Sequence, residues 1–511
     1  MSAIENRPSH SDVAVIDVGS NSIRLVLYRQ DGRAIWTVFN EKVLAGLGRD
    51  LARTGRLSPD GISAAMVALA RFRALIDASR PEIVFAAATA AVRDAADGPA
   101  FRRRVVQETG IELRILSGAE EARYAALGVL AGAPASKGLV GDLGGASLEL
   151  TRLADGSPTC GVSLPLGPFA VGEPGRFDAH RIRAAVIQHV QPIARDYQAE
   201  TLNAVGGAWR NLALLHMRLS DYPLEIVHQY EISRRDALEA ATFISRQSRA
   251  SLERIEGISR RRVDALPHAA VVLEVLIDRL RIERVVLSAF GLREGLLFEA
   301  MDADVRGQDP LIAGCAGLAS RSAVAEALGS ALEAWLQPGF RKLAPVFGHR
   351  DKVLVAAACR LAELGAHLHP DHRADLIFDQ VLRAPIAGMD HQERAFLACA
   401  AFSRHTASAN TPRATSLARL LAPERQQRAR ALGAALRLGC ELSGRSPELL
   451  DHARLDIRPG VVLLQAQDAW VGRLLGEQTA KRGATLAALL ERDLKIRPIA
   501  AKAKLGFENV G

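Results

Sequence analysis

Over the first three fifths of the chain, short apolar blocks are separated by polar, glycine-bearing turns; beyond them the apolar positions fall into a helical rhythm. Val13–Tyr28, VAVIDVGSNSIRLVLY, is an apolar block, a polar turn and a second apolar block, the pattern of a β-hairpin. Trp36–Val43 reads as a third strand, and Ser58-Pro59-Asp60-Gly61 opens a helix that runs to about Ser79. Glu82–Ala88 is a buried strand leading into Thr89–Asp94, a turn that begins another helix, and Ile111–Leu116 is the next strand. This alternation predicts an α/β lobe with a mixed sheet and helices outside it. Gly138–Leu150, GLVGDLGGASLEL, repeats the opening hairpin, so a second lobe of the same plan is expected from Pro134 onward. It continues through the strand Thr201–Val205, which ends in Gly206 and Gly207, a mostly helical stretch from Arg262 to Arg281, the strand at Arg284, and a closing helix to about Met301. Gly307–Pro310 reads as a linker. Residues 311 to 445 form alanine- and leucine-rich amphipathic segments without strands, and the tail shows a hairpin over Leu455–Gln465, a short helix Ala484–Leu490 and a strand near Leu494. The predicted domains are 1–133 and 134–306 as two α/β lobes, 307–448 as an all-helical domain, and 449–511 as a small α/β domain.

Composition narrows the classes. Hydrophobic residues make up 49% and charged residues 24% of 511, as in an ordinary soluble protein. The opening MSAIENRPSH has no apolar signal region, so a cytoplasmic protein is expected. No apolar run approaches the roughly 20 residues that span a bilayer. Five cysteines stand singly, which indicates neither a zinc site nor a disulfide framework. A net charge of +8 points to an acidic partner: nucleic acid, anionic lipid or a phosphate polymer. Aromatics are only 5% and are not interleaved with arginines, which argues against single-stranded nucleic acid. An excess of arginine with alanine is also what a GC-rich genome produces.

Chemistry concentrates at the two hairpin turns. Tight glycine turns leave N–H groups without sheet partners and suit an anion. Gly19 allows close approach, Ser20, Asn21 and Ser22 add short donors, and Asp17 can hold a cation or a water. Taken singly, each is equally a hairpin with a polar tip; the second copy, Asp142 with Gly144, Gly145 and Ser147, suggests a phosphate held between two lobes. Glu149 sits among apolar neighbours, so it either points to solvent at an edge or helps Asp142 hold a divalent cation. Ser117 and Glu120 have capping-box spacing, which leaves Glu121 as a dipole-favoured acid or a general base. Arg93 is a surface arginine or a bidentate phosphate clamp, with Arg24 a second candidate. The arginine clusters at 102–104, 260–262 and 425–430 are solvated faces or the lining of a polyanion channel. His367, His369 and His372 invite a metal reading.

The paired Asp-x-Gly turns resemble the phosphate loops of the superfamily of actin, sugar kinases and heat-shock chaperone ATPases. DVGSNSIRLVLY more closely resembles the exopolyphosphatase and guanosine pentaphosphate phosphohydrolase family. The resemblance implies two actin-like (ribonuclease H-like) α/β lobes, a helical HD-like domain and the small α/β tail. Ile115-Leu-Ser-Gly-Ala-Glu-Glu-Ala is similar to the family's ISG-x-EEA motif, which implies that Glu121 is the catalytic carboxylate. Asp142-Leu-Gly-Gly-Ala-Ser-Leu-Glu-Leu resembles DIGGGSTEL, implying Mg²⁺ near Asp142 and Glu149 and phosphate contacts from Gly144, Gly145 and Ser147; Asp17, from its place at the first turn, is the further candidate metal ligand. Ala146 and Leu148 depart from that motif, and Leu148 is expected to cost a phosphate-facing hydroxyl. Ala88-Thr-Ala-Ala-Val-Arg-Asp-Ala resembles ATSALRDA and favours the clamp reading of Arg93. Gly206 and Gly207 with Arg210 resemble a third glycine turn, and Ser288–Gly295 resembles the S-x-x-GLREG ending, read as structural closure. In the helical part, Ala362-Glu363 stands where an HD domain has its His-Asp pair, which argues against a metal there. The implied activity is removal of the terminal phosphate of inorganic polyphosphate by a cytoplasmic homodimer that binds neither membrane nor specific nucleic acid. The rivals are hydrolysis of pppGpp to ppGpp, an ATP-dependent kinase, and a non-enzymatic polyanion binder.

Overall fold

The computed structural model of the chain describes residues 10–171, 177–255, 263, 265–319 and 323–499. The chain divides into two compact units, Met1–Ala313 with Ala387–Asp390, and Gly314–Ile386 with His391–Gly511.

The first unit holds two α/β sheets. In the first, β1 (His10–Val18), β2 (Ile23–Asp31), β3 (Ala34–Val43), β4 (Ile83–Ala88) and β5 (Arg114–Ile115) lie in the order β3-β2-β1-β4-β5. β1 to β3 are antiparallel, and β4 runs parallel to β1. Period-two alternation along β1 explains its burial on both faces. Ala14, Ile16 and Val18 enter one core with Leu69 and Phe72 of α1 (Pro59–Ser79). Val13 and Val15 enter another with Tyr124. Burying a side chain such as Phe72 contributes about 1.5–3 kcal/mol. Ser58 precedes α1 without a side-chain cap bond, so Pro59 at the first helical position marks the start. After β4 come α2 (Ala90–Asp94) and α3 (Gly98–Thr109). Only Arg114 and Ile115 of the expected 111–116 strand join the ladder, because β5 is an edge strand pairing only β4. Next, α4 (Gly118–Gly132) begins with the expected capping box: Ser117 Oγ accepts from Glu120 N–H at 3.2 Å, and Glu120 Oε2 accepts from Ser117 N–H at 2.9 Å.

The second sheet comprises β6 (Gly138–Leu143), β7 (Leu148–Ala154), β8 (Ser157–Leu164), β9 (Thr201–Val205), β10 (Glu231–Ser233) and β11 (Arg284–Leu287), in the order β10-β11-β9-β6-β7-β8. Without the edge strand β10, this is the order of the first sheet. Leu139 of β6 joins a core with Trp209 of α5 (Gly207–Leu219) and the buried face of α6 (Leu266–Arg279), while Val140 packs with Val129 and Leu130 of α4. α7 (Leu292–Ala300) crosses α4 backbone to backbone. A β-carbon on Gly128 would lie 2.0 Å from Gly291 O, and one on Gly295 1.9 Å from Tyr124 O, so only glycines allow that crossing.

The second unit contains α8 (Ala323–Phe340), α9 (Asp351–Arg360), α10 (Pro370–Arg383), α11 (His391–His405), α12 (Pro423–Leu442) and α13 (Glu477–Leu489). A three-stranded sheet, β12 (Ala453–Arg458), β13 (Val461–Ala466) and β14 (Asp493–Pro498), completes it in the order β12-β13-β14. Trp335 Nε1 of α8 donates to Ala453 O of β12 at 3.0 Å. α13 starts seven residues before the expected Ala484. Its interior Gly483, which faces Leu494, hides the helical pattern from propensity. The expected linker is shorter than read, because a helix begins at Pro310 with Asp309 Oδ1 accepting from Leu311 N–H at 2.9 Å. Among the described residues, no helix is long and apolar enough to cross a membrane, and no three His, Cys, Asp or Glu side chains gather as a metal-binding group. His367, His369 and His372 are exposed, and His369 caps α10 by accepting from Asp371 N–H. Arg260–Arg262 lie outside the described residues.

Candidate active site

The two hairpin turns are built alike. Gly19 N–H donates to Ser22 O at 3.0 Å in the first, and Gly144 N–H to Ser147 O at 2.9 Å in the second. The next two carbonyls of each tip are tied back by a later segment. In the first lobe Gly48 N–H donates to Ser20 O at 2.8 Å and Gly46 N–H to Asn21 O at 3.0 Å. In the second, Phe169 N–H donates to Gly145 O at 2.9 Å and Gly167 N–H to Ala146 O at 3.0 Å. In a trans peptide the N–H points opposite its C=O. The amides of Asn21, Ser22, Ala146 and Ser147 are therefore turned away from those segments. Among the described residues no carbonyl accepts from the amides of Ser20, Asn21, Gly145 or Ala146.

The tips face each other. A β-carbon on Gly145 would lie 3.2 Å from Asn21 N and 3.2 Å from Ser20 Cβ, so the absent side chain lets the turns meet. They bound a cavity of about 430 Å³. Asp17, Gly19, Ser20, Asn21, Ser22 and Arg24 line it from the first lobe, with Glu121 from the first turn of α4. Asp142, Gly144, Gly145, Ser147, Glu149, Gly206 and Gly207 line it from the second. Arg93 is not in that lining: its Nη1 donates to Glu121 Oε2 and, at 3.1 Å, to Leu116 O, while its Nε binds Asp94.

Polar cavity residues that the sequence reading had not singled out are Lys42, Thr89 and Arg293. Arg293 lies in the motif read as lobe closure. Its neighbour Glu294 does close the fold, taking Tyr28 Oη–H at 2.5 Å and Gly291 N–H at 2.8 Å. Arg293 instead reaches 3.8 Å from Asp17 Oδ2. The first turn of α4 has the same arrangement, with Glu120 capping and adjacent Glu121 in the cavity. That parallel was the available signal. Leu148 is fully buried in the core, so its departure from the family motif removes no cavity contact.

Burial governs the charges. Glu121 is 6% exposed, and burial raises its carboxyl to about 7 against the hydrogen bond and attraction of Arg93. Burial likewise raises Asp142 to about 6, opposed by Arg210, and raises Asp17 against Arg293 and Arg24. Glu149 is raised furthest, by burial and then by Glu121 and Asp142, although Ser163 Oγ donates to its Oε1 at 2.8 Å. The two hairpins differ in the charge set against each aspartate. Across the first, Asp17 is the register partner of Arg24; across the second, Asp142 is the partner of Glu149. Opposed carboxylates disfavour each other's ionisation unless a cation lies between them, so the second pair offers a seat for a cation where the first sets an acid against a base. Two carboxylates suit Mg²⁺, which takes one or two protein carboxylates together with phosphate oxygens and water. The cavity thus offers amides and guanidinium groups for an oxyanion, carboxylates for a hard cation, and a buried carboxylate of raised pKa.

Comparison with known proteins identifies the family. The Ppx/GppA phosphatase family matches residues 26–304, and the exopolyphosphatase C-terminal family matches 345–496. Exopolyphosphatase 1 of Mycobacterium tuberculosis is 28% identical over 309 residues, covering 58% of this chain and 90% of that protein. The crystal structure of an exopolyphosphatase-like protein is 26% identical with a TM-score of 0.51, covering 56% of this chain and 97% of the other. An exopolyphosphatase from Cytophaga hutchinsonii, 23% identical with a TM-score of 0.52 over 57% of this chain and 98% of its own, speaks for the fold alone.

Proposed function

The chain belongs to the Ppx/GppA phosphatase family, and on that premise we propose that it is an exopolyphosphatase, releasing orthophosphate from the end of inorganic polyphosphate. The observation that carries the reading is the meeting of two equivalent hairpin tips over a cavity that Glu121 also lines. The terminal phosphoryl group lies between the tips, where the free amides of both turns hold its oxygens. Arg24, Arg210 and Arg293 supply the opposing charge. Asp142 and Glu149 would hold Mg²⁺, with Asp17 beside them, and the ion would offset charge on the phosphate oxygens. Glu121 accepts the proton of the attacking water. Arg93 holds that carboxylate in place from outside the cavity, in place of the clamp role expected for it. Positioning and charge neutralisation supply most of the rate in phosphoryl transfer, and one well-aimed donor is worth roughly 10²–10³-fold. On this reading the two lobes are actin-like, and the helical part of the second unit is an HD-like scaffold that no longer carries its metal.

The test is release of orthophosphate by the pure protein with Mg²⁺ and long-chain polyphosphate, pppGpp or ATP in separate reactions. Glu121→Gln keeps the shape and removes the base. It is expected to lower kcat by roughly 10²–10⁴-fold while KM changes little. Near-normal turnover by that variant would remove Glu121 from the role, and release from pppGpp alone would reassign the substrate.

A further inference from the structure

Away from the hairpin cavity, the second unit contains a smaller cavity of about 200 Å³. Arg373 of α10, Arg404 and His405 at the end of α11, Arg437, Cys440 and the carboxylate Glu441 in α12, and Arg445 just beyond α12 line it. Arginines towards a helix C-terminus, as Arg404, Arg437 and Arg445 are, offset the helix dipole and are ordinary, whereas Arg373 stands in the first turn of α10. Four around one cavity, with few carboxylates to answer them, need a further reason.

The charges do not balance locally. Arg373 is pinned by uncharged groups, with Nη2 donating to Leu368 O at 2.8 Å and Ala366 O at 3.3 Å. Arg404 and Arg445 share one carboxylate, Glu363, at 3.5 and 3.6 Å, both longer than good hydrogen bonds. Arg437 binds Glu441 at 3.2 Å, but Glu441 also takes Arg482 at 2.6 Å. Arg404 is 7% exposed, and both its Nε and the Glu363 Oε1 beside it are buried without a hydrogen-bond partner, so that one carboxylate does not satisfy the guanidinium it faces. A buried donor left unpaired is costly. Burial, then the positive charges of Arg404, Arg373 and Arg437, holds the His405 ring down to about 3, so it stays neutral. Arg445 keeps a left-handed backbone with φ +67, a conformation that glycine adopts more cheaply.

We propose that this cavity binds a small, multiply charged phosphate oxyanion of the size of orthophosphate or pyrophosphate. Guanidinium forks match tetrahedral oxyanions in geometry as well as charge. Such a ligand balances the excess of guanidinium over carboxylate that Glu363 and Glu441 leave around the cavity. The site uses no residue of the hairpin cavity, so it stands or falls independently of the hydrolase reading.

The experiment is equilibrium dialysis of the full chain at low ionic strength against labelled orthophosphate and, separately, labelled pyrophosphate. Wild type is compared with Arg445→Gly, Arg437→Gln and Gly145→Val, the last affecting only the hairpin cavity. Arg445→Gly suits the left-handed backbone, so it tests binding without threatening the fold; Arg437→Gln keeps a long polar side chain. One class of sites is expected to weaken at least tenfold in both arginine variants and to persist in Gly145→Val, for one ligand or both. The ligand that shows this class identifies the natural size. Wild-type binding of both anions by both arginine variants, or loss of all binding in Gly145→Val, overturns the proposal.

Discussion

Glu121 is a carboxylate that burial makes reluctant to ionise and Arg93 keeps from being more so. As the base it must be charged, so protonation as pH falls through about 7 should lower kcat/KM, approaching tenfold per unit on the acid side. Replacing Arg93 by alanine removes a favourable charge, and the carboxyl pKa should climb further. A pH–rate profile of Arg93→Ala should therefore show its acid limb displaced upward by about one unit, with rate partly regained in alkali. An unmoved limb with a higher KM would instead make Arg93 a substrate contact. At this scale the sequence was partly legible. Glu121 could be picked out because Ser117 and Glu120 use each other in the cap and leave it without a local task. Arg293 was hidden because its neighbours Gly291 and Glu294 have a visible structural role, and nothing local shows that Asp17 lies opposite.

Among elements, the hairpins were the most legible, since alternating apolar runs around Asp-x-Gly allow little else. Their mutual approach could be inferred only from the duplication, which suggested a phosphate held between two lobes, because the contacts that make it join residues over a hundred positions apart. Gly145→Val tests it directly. The new side chain would press on Ser20 and Asn21 and part the tips. Misplacement by about 1 Å can cost on the order of 10²-fold, so kcat/KM should fall more than tenfold while the thermal midpoint moves little. Gly295→Ala should do the reverse in emphasis. Its methyl meets the Tyr124 carbonyl between α4 and α7, and overpacking of about 1–3 kcal/mol should lower the midpoint of thermal unfolding. Elements misjudged from sequence were those whose length is set by neighbours: β5, cut short at a sheet edge, and α13, continued through a glycine.

For the whole molecule, duplication could be inferred from two matching motifs, and the shared strand order gives it structural form. The helical character of the second unit was readable from its rhythm; the docking of β12 on α8 through Trp335 was not, because a single indole hydrogen bond leaves no periodic trace. A net charge of +8 bears on the substrate at this scale. If long polyphosphate is the ligand, raising salt from 50 to 200 mM should weaken its binding steeply, and more so for long chains than for short, by analogy with other polyanions. A salt slope independent of chain length would speak for a short phosphate donor. The two hairpins also share a frame while differing in one sign, Arg24 occupying in the first the place that Glu149 holds in the second. A cleft framed by identical halves would accept a guest either way round. That exchange, with Glu121 and the Gly206-Gly207 turn each lining the cavity from one lobe alone, gives this one a front and a back, so whatever enters is read in only one sense.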